Sequence, residues 1–510
     1  MKFSHHRLAF QRWLCRTLAT REQIRLRTKL IIGASIFLLS FCVKSLHAVD
    51  LEPLMYTTEQ IGGGMTAEFD SRAVAILNGE GLLLATIHDR SETVVLSHAP
   101  GYSIFLSGIY ATFGRNYFTV QLIQNVVNSL SPVLIFLIAG NLLSWRVGAV
   151  AGVIAGFSHH LSYYSNVILS DSLCPLPILI GVYILVKTRP DAKGSWGRYV
   201  AAGSMFGLSA WIRANPMLLG MFCGVLLVAI FGVRKRILMN AGLLALTSLL
   251  TIAPIPIRNY LLYREFIPIQ LGMGINLWEG LADVSDGQYG ARSDEEVIRQ
   301  EVELYGNPSY GETWATPDGI MRDRARVRRS LEVIAARPVW FVGAMFRRMA
   351  EMLKDTAFAT LVFRSGDTKL RDSVAAAKAA KETKRTRRQE LERQTISQSP
   401  LVVGKSLFWM RVPARAVQRL IKETGLLFAL IGLVILLFVS LRRTLLVMIV
   451  PLYYLLFQSV IHTEFRYTLA IRYFFMILAA IVWTILFAAA AKGLRAGLIR
   501  FKRTPSTAEA

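Results

Sequence analysis

The sequence is short of charge, and shortest of acid. Only 18% of its 510 residues are Asp, Glu, Lys or Arg, below the roughly 25% of ordinary soluble domains, while 53% are hydrophobic. The apolar residues gather into about ten long blocks nearly free of charge, so the surplus cannot be one soluble core and must face lipid. A soluble enzyme, a disordered chain and a fibrous chain are thereby excluded. Against 34 Asp+Glu stand 58 Lys+Arg, a net charge of +24. In a soluble chain that excess would point to nucleic acid. Here the basic residues flank the apolar blocks, where they orient a membrane protein, and no nucleic-acid partner is expected.

Cysteine is nearly missing as well. Cys15 lies in the basic head, and Cys42, Cys174 and Cys223 lie inside apolar blocks, so no disulfide framework is expected. The Asn-x-Ser/Thr acceptor pattern occurs only as Asn307-Pro308-Ser309, where the proline forbids it. Both absences lean toward a bacterial inner membrane.

The first 29 residues hold Lys2, Arg7, Arg12, Arg16, Arg21, Arg25, Arg27 and Lys29 with one acid, Glu22, which places the amino terminus in the cytoplasm. A cleaved signal peptide fits less well, because the basic head is long and Leu46-His47-Ala48 is a poor small-x-small site. From block 30–49 onward, further spans read at 118–140, 148–166, 173–187, 199–213, 216–233, 237–257, 424–440, 444–461 and 467–490. Ten spans return the carboxyl terminus to the cytoplasm. Arg146, the group Lys187, Arg189, Lys193 and Arg198, Arg234-Lys235-Arg236, Arg442-Arg443 and the tail from Lys492 to Arg503 then all fall inside, as the rule for short loops requires.

The block Pro100 to Phe113 has 14 residues, too few to cross roughly 30 Å at about 1.5 Å per residue, and is expected as a juxtamembrane helix at the interface. The fold class is therefore an all-α polytopic membrane protein of about ten transmembrane helices. Residues 1–29 form a cytoplasmic tail, 30–257 a transmembrane core with a first outer loop at 50–117, 258–423 a large outer loop, 424–490 the last transmembrane helices and 491–510 a second tail. The large loop changes sign along its length: residues 258–320 carry 4 basic and 11 acidic residues, 321–354 carry 9 and 3, and 369–393 carry 9 and 4. Residues 321–354 read as two membrane-surface helices broken at Pro338. Val339, Trp340, Phe341, Ala344 and Met345 are expected on the apolar side and Arg347, Arg348 and Lys354 opposite. Residues 369–393 read as a solvated helix or insert.

Ionisable residues near a membrane are costly and mark candidate sites. They collect on the outer side: His47, His88, His98, His159, His160 and His462, with Glu68, Asp70, Asp171, Arg213, Arg258, Glu464 and Arg466. The sharpest pair is Asp70 in the first loop and Asp171 in the turn Ser170-Asp171-Ser172. Converging acids with cationic neighbours suit a general-base reaction on a phosphate-activated substrate, one carboxylate deprotonating the acceptor and cations stabilising the departing phosphate. Asp171 could equally cap the following helix, and Arg213 and Arg258 could snorkel to the interface. His159-His160 are adjacent and point about 100° apart on a helix; no metal motif accompanies them. A divalent ion would be held only weakly between Asp70 and Asp171, and no cofactor is expected.

Several segments in order resemble the GT-C superfamily of membrane glycosyltransferases, in the branch of protein O-mannosyltransferases and lipid A aminoarabinose transferases. Glu68-Phe69-Asp70-Ser71-Arg72 stands where that family carries its acidic motif, and His98-Ala99-Pro100-Gly101-Tyr102 resembles its Arg/Lys-Pro-Pro-Gly-Tyr stretch. Ser170-Asp171-Ser172-Leu173 is similar to its second acidic turn. Trp211-Ile212-Arg213, Pro254-Ile255-Pro256-Ile257-Arg258-Asn259-Tyr260 and Gly272-Met273-Gly274-Ile275-Asn276-Leu277-Trp278-Glu279-Gly280 are similar to its pre-loop arginine, its Pro-Trp-x-x-Arg-Asn-Tyr and its Gly-rich Asn-Leu-Trp. His462-Thr463-Glu464-Phe465-Arg466-Tyr467 resembles the Glu-x-Arg-Tyr before its last span. His98, Ala99 and Pro256 depart from the pattern, and an imidazole at position 98 is a weaker phosphate contact at neutral pH than Arg or Lys.

The resemblance implies a polyprenyl-phosphate sugar donor entering from lipid and a glycan, lipid or protein acceptor from the aqueous side. It implies Asp70 as general base, Asp171 as a second catalytic acid, and Arg258, Arg466, Arg213 and His98 at the donor phosphate. Glu68, Tyr102, Asn276 and Trp278 would bind substrate. Two rivals share the architecture, a flippase for a lipid-linked sugar and a polysaccharide polymerase or ligase. The flippase would place charged or helix-breaking residues at mid-membrane in paired halves, whereas these spans read as clean at their centres.

Overall fold

The computed structural model describes residues 24–57, 65–80, 92–93, 96–192, 194–285, 287–354 and 405–503. The basic head before residue 24, with Cys15, and the segments holding His88 and residues 369–393 lie outside the described residues. Those described form helices, and no strand occurs among them.

Helix α1 (Leu26–Thr57) is followed by α2 (Met65–Leu77) and α3 (Gly101–Phe113). Next come α4 (Tyr117–Leu142), α5 (Trp145–Phe157) and the single turn α6 (His159–Tyr164). The boundaries follow from local chemistry. Asn116 and Ser144 cap α4 and α5 by accepting the Thr119 and Val147 amides. The 3₁₀ turn Ser170–Ser172 leads into α7 (Pro175–Lys187), whose first residue is a proline that needs no amide partner. Helices α8 (Trp196–Ile212), α9 (Leu219–Phe231), α10 (Lys235–Ile252) and α11 (Pro254–Tyr263) complete the first half.

Among the described residues six helices are long and apolar enough to cross a membrane: Leu26–Val49, Tyr117–Leu142, Ser170–Lys187, Lys235–Ile252, Val412–Val439 and Arg466–Lys492. The pair α17 (Leu441–Val447) and α18 (Ile449–Gln458), bent by 57°, makes a seventh if read as one span. The other expected spans are helical but short. Trp145–Phe157 and Leu219–Phe231 have 13 residues each, about 20 Å at the helical rise, and Ser158 starts a new helix where a single span was expected at 148–166.

The last long helices, α16 (Lys405–Val439) and α19 (Leu469–Arg503), pack tightly together. A Cβ on Gly432 would sit 2.0 Å from the Leu478 carbonyl oxygen, a contact that glycine alone accommodates. The main apolar core joins α4, α5, α7, α8 and α9 to α16, α18 and α19 through residues such as Ile135, Ile178, Phe206, Tyr453 and Phe474.

Between the two halves, α12 (Met273–Ser285), α13 (Asp294–Tyr305), α14 (Gly319–Ala336) and α15 (Pro338–Lys354) form a layer held by buried charge. Glu301 accepts from Arg322 at 2.7 Å and from Arg326 at 2.6 Å, with all three buried. Asp323 accepts from the Gly272 and Gly274 amides and so fixes the start of α12. Arg348 donates to the Ser459 and Val460 carbonyls, at 2.7 and 3.1 Å, and to the Gly280 carbonyl.

The two helices broken at Pro338 are as expected and Arg347 is exposed, but Arg348, expected beside it on the basic side, is buried. Arg322, Arg326 and Arg348 point inward because backbone carbonyls and Glu301 satisfy their donors there. On α15 Phe341 and Ala344 are buried beside Arg348, and Val339, Val342 and Phe346 are exposed apolar residues.

Candidate active site

Asp70 lies on α2, whose inner face brings Phe69 and Ala73 into one apolar cluster with Tyr102, Leu106 and Tyr110 of α3 and Val167, Ile168, Leu169 and Leu173 around the second acidic turn. Thr66 donates to the Ile168 carbonyl at 3.3 Å. The two loops that carry Asp70 and Asp171 are therefore packed together. Helix α3 starts hard against α8, since a Cβ on Gly101 would meet the Trp211 carbonyl at 2.6 Å, and this closeness brings Tyr102 toward the chain entering Arg213.

Each acid has its own arginine. Asp70 is buried, and its Oδ1 accepts from the Tyr110 hydroxyl at 2.7 Å and Arg115 Nε at 3.2 Å, while Arg115 Nη2 reaches Oδ2. Burial and then the bond to Asp70 push the Tyr110 hydroxyl up, and the same carboxylate holds Arg115 up. Asp171 is also buried and is ion-paired with Arg213. It caps neither the 3₁₀ turn nor α7, which have no side-chain cap. Arg213 does not snorkel; its guanidinium lies 4.3 Å from the Tyr467 ring centre, and its Nε donates to Asn215 at 3.1 Å. Arg466 also lies over Tyr467, 5.4 Å from its ring centre, paired with Glu464 at 2.6 Å, and Asp171 acts on it electrostatically.

A third cluster joins Glu68, His98, Arg72 and Arg258. His98 Nε2 is 2.8 Å from Glu68, and its ring stacks on Phe69 at 4.8 Å. Arg72 donates to the His98 carbonyl and the Ser97 hydroxyl. Burial raises the Glu68 carboxyl, but His98, Arg72 and Ser97 outweigh it and leave the group below its ordinary value. Arg258 is buried, with Nε and Nη2 on Asn259 Oδ1 at 3.0 and 2.6 Å. Burial first, and then the like charge of Arg72, bring it down to about 10. Among the described residues no carboxylate pairs with Arg258. The like charges of Arg72 and Arg258 act on each other, with Glu68 beside Arg72 alone, and a buried cation without its own carboxylate favours an anion.

The remaining candidates are placed differently. Tyr102 is fully buried, its hydroxyl donating to Gln124. Asn276 donates to the Gly272 carbonyl at 2.6 Å, and its own carbonyl accepts the His462 amide at 2.7 Å, tying the Gly-rich segment to the motif that holds Glu464 and Arg466. The Trp278 indole turns to Gln300 on α13 at 2.9 Å, and no bond links it to the acids. His462 sits 2.6 Å from Asp283; burial lowers it, but Asp283, Glu279 and Glu464 outweigh that and raise its value.

Sequence reasoning passed over Tyr110, Arg72 and Arg115. Arg72 stands inside the quoted acidic motif and Tyr110 two turns beyond Tyr102, so spacing could have found both. Arg115 carries no such signal. Among the described residues no group of three or more metal-ligating side chains comes together.

Residues 97–257 match the family model of the dolichyl-phosphate-mannose-protein mannosyltransferases. The matched segment holds His98, Tyr102, Asp171 and Arg213 and ends one residue before Arg258; Asp70, Asn276, Trp278 and Arg466 lie outside it. No curated protein matches the chain. The match covers 161 of the 510 residues and makes that part of the chain similar to a family of membrane glycosyltransferases, in a chain with several helices apolar and long enough to cross a membrane.

Proposed function

We propose that the chain is an inverting glycosyltransferase, moving a sugar from a polyprenyl-phosphate-linked donor to a glycan, lipid or protein acceptor on the outer, periplasmic face of a bacterial inner membrane. In this reading ten helices cross the bilayer and both termini are cytoplasmic. The observation that carries it is the packing of the Asp70 helix and the Asp171 turn in one cluster, with Arg72 of that same helix acting electrostatically on the buried Arg258.

Asp70 takes the proton of the acceptor hydroxyl, for which Arg115 must release it. The acceptor oxygen then forms its bond to the anomeric carbon as the bond from that carbon to the phosphate oxygen breaks, and the electron pair leaves on the phosphate. Arg258 and Arg72, with His98 as a third cation when protonated, receive that charge. Asp171, fixed by Arg213, orients the sugar or the acceptor. Nothing in the scheme calls on a cofactor or a metal.

The test is transfer of labelled sugar from polyprenyl-phosphate mannose in liposomes, with a membrane extract as acceptor source. Asp70→Asn should lower transfer by about 10²- to 10⁴-fold, the range of general-base catalysis, at an unchanged membrane level. Normal transfer by this variant would remove Asp70 from the mechanism. Equal movement of lipid-linked sugar across the bilayer in both proteins, with no new glycosidic product, would make the chain a flippase.

A further inference from the structure

Helix α4 is a membrane-crossing helix with one polar face. Gln121, Gln124, Asn125 and Asn128 recur at i, i+3, i+4 and i+7, and all four are exposed by 1% or less. Amides in such a place are costly unless bonded. Their partners are concentrated on residues 165–167, the irregular stretch between α6 and the Asp171 turn. Gln121 donates to the Asn166 carbonyl at 2.8 Å, and Gln124 to the Ser165 and Val167 carbonyls at 3.0 and 3.3 Å. Asn125 donates to the Asn166 side chain at 2.8 Å and accepts from the Ser165 hydroxyl at 2.7 Å. Asn128 donates to that hydroxyl at 3.0 Å. From the far side Asn166 reaches the Lys44 carbonyl on α1 at 3.0 Å.

Amides that merely glue helices together bond to side chains across an interface. Here three of the bonds end on main-chain carbonyls, in the way that irregular backbone at membrane depth is made tolerable by surrounding protein. Asp171 follows four residues after Val167. The same face is linked indirectly to the helix of the other acid: Gln124 Oε1 accepts from the Tyr102 hydroxyl, and the Tyr102 ring packs edge-on at 4.9 Å against Phe69, the neighbour of Asp70 in sequence.

We infer that this amide face is a positioning device for the reaction: Gln121, Gln124, Asn125 and Asn128 hold the 165–167 backbone and Tyr102 so that Asp171 and Asp70 keep their places across the substrate. The inference rests on the role proposed for Asp171. These are positioning residues, acting through the acids and not on substrate.

The test uses the full chain in lipid nanodiscs with Gln124→Leu, Asp171→Asn and the double variant. Gln124→Leu should raise hydrogen exchange of amides 165–173 by about tenfold or more and leave the layer α12–α15 unchanged. It should lower kcat for transfer from polyprenyl-phosphate mannose by about tenfold, with the donor KM within about twofold. Added to Asp171→Asn it should cost clearly less than it costs alone, the remainder being its hold on Asp70 through Tyr102, since groups acting as one unit are not additive. Asn125→Ala, a smaller change, carries the same test if Gln124→Leu does not reach the membrane. Unchanged exchange, exchange raised throughout the protein, or losses that multiply in the double variant would each overturn the inference. If Asp171→Asn abolishes transfer while Gln124→Leu is normal in both measurements, the inference falls alone. If Asp171→Asn transfers normally, the reading of Asp171 falls and takes the inference with it.

Discussion

Asp70 and Asp171 are buried alike, 3% and 4% exposed, and each faces an arginine, yet the two arginines differ. The Arg115 side chain is 60% exposed and that of Arg213 18%. Arg115 can swing into water at little cost, because an ion pair with one exposed partner contributes little. Arg213 is stacked over Tyr467 and tied to Asn215, so it has nowhere to go. A general base must give up its partner in each cycle and a positioning acid must not. The difference in access, more than any difference between the acids, is what supports the two roles proposed for them. Glu279 is a half-buried acid with no arginine paired to it among the described residues: burial and then Asp294 push it up to about 8.

The largest expected effect is on stability. Arg213→Ala leaves the Asp171 charge buried and uncompensated, and should destabilise the protein by about 3–5 kcal/mol, seen as a lower thermal midpoint in detergent. A midpoint equal to wild type would erase the contrast between the acids. Arg258→Ala should behave differently, since its nearest charge is the like charge of Arg72. We expect the donor KM to rise about tenfold, roughly 1.4 kcal/mol, with little loss of stability; an unchanged dependence of rate on donor concentration would remove Arg258 from the phosphate site.

Glu279 sharpens the comparison through pH. Its folded value of about 8 lies above the ordinary 4.5, so its contribution to stability is fully present below about 4.5 and is lost as pH rises through about 8. The thermal midpoint should fall between pH 6 and 9, and Glu279→Gln should flatten that fall; an unaltered slope would show that other groups cause it. The smallest effect is expected at Arg115. Arg115→Ala should cost less than about 1 kcal/mol in stability, and a loss as large as that of Arg213→Ala would contradict its assignment as the releasable partner.

Much of the fold was legible because hydropathy and basic flanks are local signals. The apolar blocks are helices, and Pro100–Phe113 is the short helix α3 its length required. The meeting of the Asp70 and Asp171 loops was also readable, through ordered motifs. Three features escaped for three physical reasons. The amide face of α4 sits within an apolar stretch long enough to cross a membrane, Tyr117–Leu142, where four polar residues vanish unless their helical spacing is counted. The inward turn of Arg322, Arg326 and Arg348 runs against the rule that apolar residues mark the buried face, because Glu301 and free carbonyls replace water as partners. Arg115 meets Asp70 across 45 residues, and a lone basic residue after a helix gives no sign of its partner.

The account centres on a single displacement driven by Asp70, and the anomeric configuration of the product tests it most directly. Sugar transferred from polyprenyl-phosphate mannose of known anomeric form should appear in the product, read by NMR, with the configuration inverted. Retention would require a second displacement through a sugar–enzyme bond, and would contradict the assignment of Asp70 as a base acting on the acceptor.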